Sequence, residues 1–155
     1  MKKILLLVLI LLVAGTSFSF AKGLGIGIAA GLNQIGGLPN SMLLSLKLPE
    51  IPFLLGLGLN LTPGVFGLGV TADWWMYQTH LVGILNLYLG LGLFLDVQNE
   101  QISFGGRLPV GLQVWVIDPL ELFLEVAPTL TLVGTAGIQI PNVGFQGAFG
   151  IRFWF

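Results

Sequence analysis

The chain has 155 residues, of which 55% are hydrophobic and only 8% charged, with a formal net charge of -1, 23 glycines and no cysteine. A soluble domain carries about 25% charged residues, so this chain is too apolar to stand alone in water. Six scattered Lys and Arg cannot grip nucleic acid. The lack of Cys excludes a disulfide scaffold, a thiolate metal site and thiol-linked lipid.

The first element in chain order is a secretory signal peptide over residues 1–21. Lys2 and Lys3 supply its positive start, Ile4 to Val13 its apolar run, and Ser19 and Ala21 the small residues before a cut at Lys22. The run is shorter than the roughly 20 residues a spanning helix needs. Residues 22–155 are left as one membrane domain.

Within that domain, residues 51–72, 74–95 and 126–151 contain no Asp, Glu, Lys or Arg, and a hydropathy window would read them as helices. Their periodicity argues otherwise. Gly23-Leu-Gly-Ile-Gly-Ile28, Leu55-Gly-Leu-Gly-Leu-Asn-Leu61 and Leu85-Asn-Leu-Tyr-Leu-Gly-Leu-Gly-Leu-Phe-Leu95 alternate with period two, the spacing of a strand. In a helix the same glycines would be scattered around the circumference, each costing about 1 kcal/mol relative to Ala.

Turn signals divide the domain into eight alternating runs, near 23–32, 41–48, 53–61, 66–75, 84–96, 102–116, 120–132 and 143–155. One face of these runs carries no charged side chain. The other holds the polar residues, among them Ser45, Asp73, Asp96, Arg107, Gln113, Glu121, Glu125, Gln146 and Arg152, together with many glycines. A sheet that is apolar on one face and must leave no open edge in hydrocarbon closes on itself. The expected fold is therefore all-β: an eight-stranded antiparallel up-and-down transmembrane β-barrel, apolar outside, Gly-rich and polar inside.

Even strand number puts both termini at the periplasmic end, with turns at 49–52, 76–80 and 117–119. Loops near 33–40, 62–65, 97–101 and 133–142 face outward. A periplasmic aromatic girdle is expected from Trp74, Trp75, Tyr77, Trp115 and Trp154. The alternation also turns Trp75, Trp115 and Trp154 inward, where with Tyr88, Phe94 and Phe123 they help to fill a bore too narrow for an open pore. Buried charges need partners. An interior ion-pair cluster is expected from Arg152 beside both Glu121 and Glu125, with Arg107 nearby on a less defined partner.

The chain ends Phe149-Gly-Ile-Arg-Phe-Trp-Phe155, with apolar residues at every second position back from a terminal Phe. Phe149, Ile151, Phe153 and Phe155 resemble the C-terminal signal by which outer-membrane barrels are recognised for assembly. Ala72-Asp-Trp-Trp-Met-Tyr77, residues 118–128 and residues 144–155 resemble a family of small outer-membrane β-barrel proteins, and the whole domain looks like OmpX-like and OmpA-membrane-domain-like barrels. The resemblance implies location in the outer membrane of a diderm bacterium, reached through the periplasm. It implies contact with outer-membrane lipids and, through the C-terminal strand, with the assembly machinery; a surface role leaves room for an extracellular partner that the sequence does not identify. The short loops weaken the analogy with OmpX-type adhesion.

Catalytic, cofactor and metal sites are not expected. The only His is His80, placed in a turn, and none of Ser41, Ser45 and Ser103 forms a His-x-Ser pair with it. The glycine-rich runs match no phosphate or dinucleotide loop. The sequence favours a non-enzymatic barrel with a structural or surface-interaction role. A narrow transport or lipid-binding barrel is the alternative, and a lipid-modifying enzyme a more distant one.

Overall fold

The computed structural model describes residues 23–31, 41–134 and 137–155. The expected signal peptide over residues 1–21, the expected loop at 33–40 and residues 135–136 of the expected loop at 133–142 lie outside the described residues. Nine strands follow in order: β1 (Gly25–Gly31), β2 (Ser41–Lys47), β3 (Phe53–Asn60), β4 (Gly67–Val82), β5 (Leu85–Gln98), β6 (Gln101–Arg107), β7 (Val110–Ile117), β8 (Leu120–Gly134) and β9 (Gly137–Trp154). All pairings are antiparallel, each strand meets its sequence neighbour or near neighbour, and β9 pairs with β1. The sheet is thus a closed ring with no free edge.

The nine strands occupy eight staves. The expected strand 102–116 is broken into β6 and β7 at Leu108-Pro109, and both pieces lie between β5 and β8. The break does not shift the register. Arg107 pairs with Thr129 and Val110 with Val126, so the two residues between them face two on β8. The same holds against β5, where Arg107 meets Gly92 and Val110 meets Leu89. Only donors are missing. Gly90 donates its N–H to Pro109 O at 2.8 Å, but Pro109 has no N–H to return. Leu108 donates to Pro128 O at 3.0 Å, and Pro128 cannot return that bond either.

The staves are staggered. Partners followed from Gly25 through Lys47, Leu54, Asp73, Gly92, Arg107 and Thr129 arrive on β9 at Gly144, ten residues before Trp154, which also pairs with Gly25. Closure of a twisted sheet requires such a stagger, and with it the strands tilt across the barrel axis. The pleat then sorts the residues. Ile26, Ile28, Leu57, Leu59, Leu91, Leu93, Phe145 and Phe149 are exposed on the outside, whereas Tyr88, Phe94, Glu121 and Arg152 are buried within.

The hairpins correct one expected turn. Residues 76–80 belong to β4, which continues to Val82, and the chain reverses at Gly83-Ile84, with Gly83 at φ 58°. Bulges between Trp75 and Tyr77 and between His80 and Val82 shift the alternation there. A disrupted pleat reads in sequence as a turn. At the opposite end β5 and β6 reverse over Asn99 and Glu100, both at positive φ (43° and 69°), the pattern of a tight two-residue hairpin. The start of β1 and the C-terminus meet at the same end as the turns after β2, β4 and β7, hereafter the terminal end, where the N–H of Phe155 donates to Leu24 O at 2.8 Å.

Candidate functional site: the barrel interior

The inward pleat of seven staves delivers the interior polar side chains. Nearest the terminal end, Arg152 of β9 is completely buried. Its Nη1 donates to Glu121 Oε1 at 2.7 Å across the β8–β9 seam, where the two residues are directly paired. Its Nε and Nη2 donate to Ser45 Oγ at 3.2 and 3.1 Å. The guanidinium lies over the Phe123 ring at 4.4 Å and near Trp75 and Trp154 at 5.3 and 5.7 Å. These aromatic faces complement a desolvated cation. Glu121 also accepts from Gln113 Nε2 at 3.0 Å and from Trp154 Nε1.

Deeper in the bore, Arg107 forms a second centre. It bonds to Glu125 Oε1 through Nη2, lies 3.1 Å from Asp73 Oδ1 through Nε, and donates to Gln146 Oε1 at 3.0 Å. The Tyr88 hydroxyl donates to Glu125 Oε2 at 2.5 Å, and Gln146 Nε2 reaches Asp96 Oδ2 at 3.5 Å. Tyr88 fits because Gly111 stands opposite it on β7, where a Cβ would overlap the phenol ring. A small cavity of about 60 Å³ remains between the two centres, lined in part by Ser41, Thr71, Asp73 and Asp96.

The four residues expected in one cluster are therefore divided. Arg152 takes Glu121, and Glu125 belongs to Arg107 instead. The reason is strand geometry. Four residues along a strand span about 13 Å, too far for one guanidinium to bridge both glutamates. Asp73, Tyr88, Gln146 and Ser45 complete the network. Their inward parity was legible, but their partners depend on the stagger of the staves.

The aromatic girdle also divides. Trp74 and Tyr77 are exposed on the outer face, with Phe53, Phe153 and Phe155. Trp75, Trp115 and Trp154 stand on the inner pleat and do not face outward. Trp154 packs against Trp115 at 5.9 Å and against Trp75 at 6.4 Å, and Trp75 against Tyr88 at 4.6 Å. Phe149, Ile151 and Phe153 line the outer face of β9 against Ala30, Ile28 and Ile26 of β1. His80 is on β4, its Nδ1 3.0 Å from Asn86 Oδ1. Among the described residues no group of three His, Cys, Asp or Glu is arranged to hold a metal.

An antiparallel ring of eight staves, apolar without and polar within, defines the class of small closed β-barrels that outer-membrane proteins use. No family model matches the chain, and no curated protein matches its sequence. Among solved structures it is similar to Neisserial surface protein A, with a TM-score of 0.50 and 14% sequence identity, covering 86% of this chain and 97% of that one. The likeness is one of fold.

Proposed function

We propose that the protein is a non-enzymatic outer-membrane β-barrel with a structural or surface-interaction role, its interior serving as a packed polar core. The observation that carries this reading is the pairing of both interior arginines with carboxylates inside the bore, with Arg152 wholly removed from solvent. Tyr88 and Phe94, also fully buried, fill more of the bore. A conduit needs water around its charges, whereas these charges are held by one another.

The outer surface supports the membrane setting. Exposed Leu, Ile, Val and Phe cover the staves, as water would not tolerate and hydrocarbon requires. Outward Trp74, Tyr77, Phe53, Phe153 and Phe155 gather towards the terminal end, the depth at which amphipathic rings favour a lipid headgroup region. In this reading the C-terminus, the start of β1 and the 83–84 and 118–119 turns face the periplasm, and the Asn99-Glu100 hairpin faces outward. The fold likeness to a surface protein of Neisseria supports a role at the cell surface.

Fractionation, heat-dependent gel mobility and conductance across planar bilayers test the proposal together. The expected protein is in the outer-membrane fraction, migrates faster before boiling, and gives no steady conductance. Stepwise ion conductance would overturn the packed-core reading in favour of a narrow transport barrel. Recovery in the inner membrane would overturn the location.

A further inference from the structure

The interior network stops short of the terminal end, and a second cavity of about 530 Å³ opens there. Its size is within the roughly 300–1,000 Å³ of small-molecule sites. Trp75, Trp115 and Trp154 form its aromatic lining, so three of the four tryptophans of the chain meet at this mouth. Gln78 and Asn86, from the β4–β5 hairpin, add side-chain amides, whereas the Gln113 amide of β7, also in the lining, is turned onto Glu121.

The described lining of this mouth carries little charge. Lys47 is its only Lys or Arg among the described lining residues, and its ammonium donates to the carbonyls of Leu48 at 3.0 Å and Ile51 at 2.6 Å. No carboxylate is among those lining residues. Glu121, just inside, is held by Arg152, Gln113 and Trp154. His80 Nδ1 faces Asn86 Oδ1, which leaves the Asn86 NH₂ and His80 Nε2 for other partners. What remains to meet a ligand is indole surface and neutral donors and acceptors.

We infer that the terminal mouth of the barrel is a binding site for a neutral saccharide. A sugar ring presents C–H faces that pack on aromatic rings and an equatorial rim of hydroxyls that both donate and accept. Amides, which also do both, match that rim. Among the described lining residues an anionic ligand would find a single cation, Lys47, already turned onto two backbone carbonyls, and a purely apolar one would strand the amides and His80. The inference concerns the mouth alone and stands whichever compartment it opens to.

The three lining tryptophans are the reporter. The full-length folded protein, held in a detergent without a sugar headgroup, is titrated with chitotriose and with maltotriose while tryptophan emission is recorded. A saturable change below about 10 mM is expected with at least one of them. Asn86→Ala and Trp115→Ala should each weaken it roughly tenfold, the scale of losing one anchoring contact. Gel mobility before boiling checks that each variant is folded, and Asn86→Ala, at the rim, decides the matter if Trp115→Ala is not. No saturable change with either saccharide overturns the inference. So does a change that persists undiminished in the folded variants, or tighter binding of glucose 6-phosphate than of the neutral sugars.

Discussion

Replacing Arg152 by Met tests the buried network at its most enclosed point. Methionine keeps much of the length of the side chain and removes the charge. The substitution deletes the 2.7 Å pair with Glu121, two bonds to Ser45 and the stacking on Phe123. It leaves the Glu121 carboxylate buried without its cation. Removing one partner of a buried pair costs about 3–5 kcal/mol. Glu121 retains Gln113 and Trp154 as donors, so the lower end, about 3 kcal/mol, is expected. With a urea slope of about 1–3 kcal/mol per M, the unfolding midpoint falls by roughly 1–3 M. Combining Arg152→Met with Glu121→Gln removes both charges and should restore at least half of the loss. The two single costs then exceed the double cost by at least about 1.5 kcal/mol. Urea titration of the folded band and of tryptophan emission measures all four proteins. A single variant within about 1 kcal/mol of the parent, or additive single costs, would refute the account.

Arg107→Met strands Asp73 and Glu125 together, so it should lower the urea midpoint further than Arg152→Met; an equal or smaller fall would argue against the second centre. Pro128→Val supplies the N–H that Leu108 O lacks at the β6–β8 seam. A gain of about 0.5–1.5 kcal/mol is expected, read as a rise in the midpoint. Gly111→Val drives a side chain into the Tyr88 ring and should break the Tyr88–Glu125 bond, seen as loss of the folded band. Deleting Phe155 removes its backbone bonds to Gly23 and Leu24 as well as its ring, and should impair membrane assembly. Phe155→Ala keeps the backbone bonds, and normal insertion of that variant would show that the terminal ring is not a signal.

Much of this barrel follows from local chemistry. Strict alternation in Leu85–Leu95 requires a strand, because only a pleat sends successive residues to opposite sides. The charge-free face and the glycine-rich polar face then set outside and inside. That parity needs no knowledge of the rest of the chain, so the inward direction of Asp73, Arg107, Glu121 and Arg152 was legible from the residues themselves. So was the class of fold. The charge-free stretches would have suggested helices only to a reading that ignored their period.

Other features exist only once the ring closes. Glu121 meets Arg152 through the register of the β8–β9 pair alone, but the approach of Asp73 to Arg107 and of Ser45 to Arg152, from strands that are not neighbours, depends on the stagger of several staves that no single run carries. The bulges in β4 hide its continuation to Val82, since one extra residue reverses the parity of those after it. The break at Leu108-Pro109 is hidden for the opposite reason. Side chains alternate across it undisturbed, and what proline lacks is a backbone donor whose importance appears only when Gly90 lies opposite. Trp75, Trp115 and Trp154 show the same division. Their aromatic character suited a girdle, but the pleat turns them inward and the stagger gathers them at one mouth. Alternation is a local rule of the strand and is written in the sequence. Register is a condition of closure and belongs to the tertiary structure.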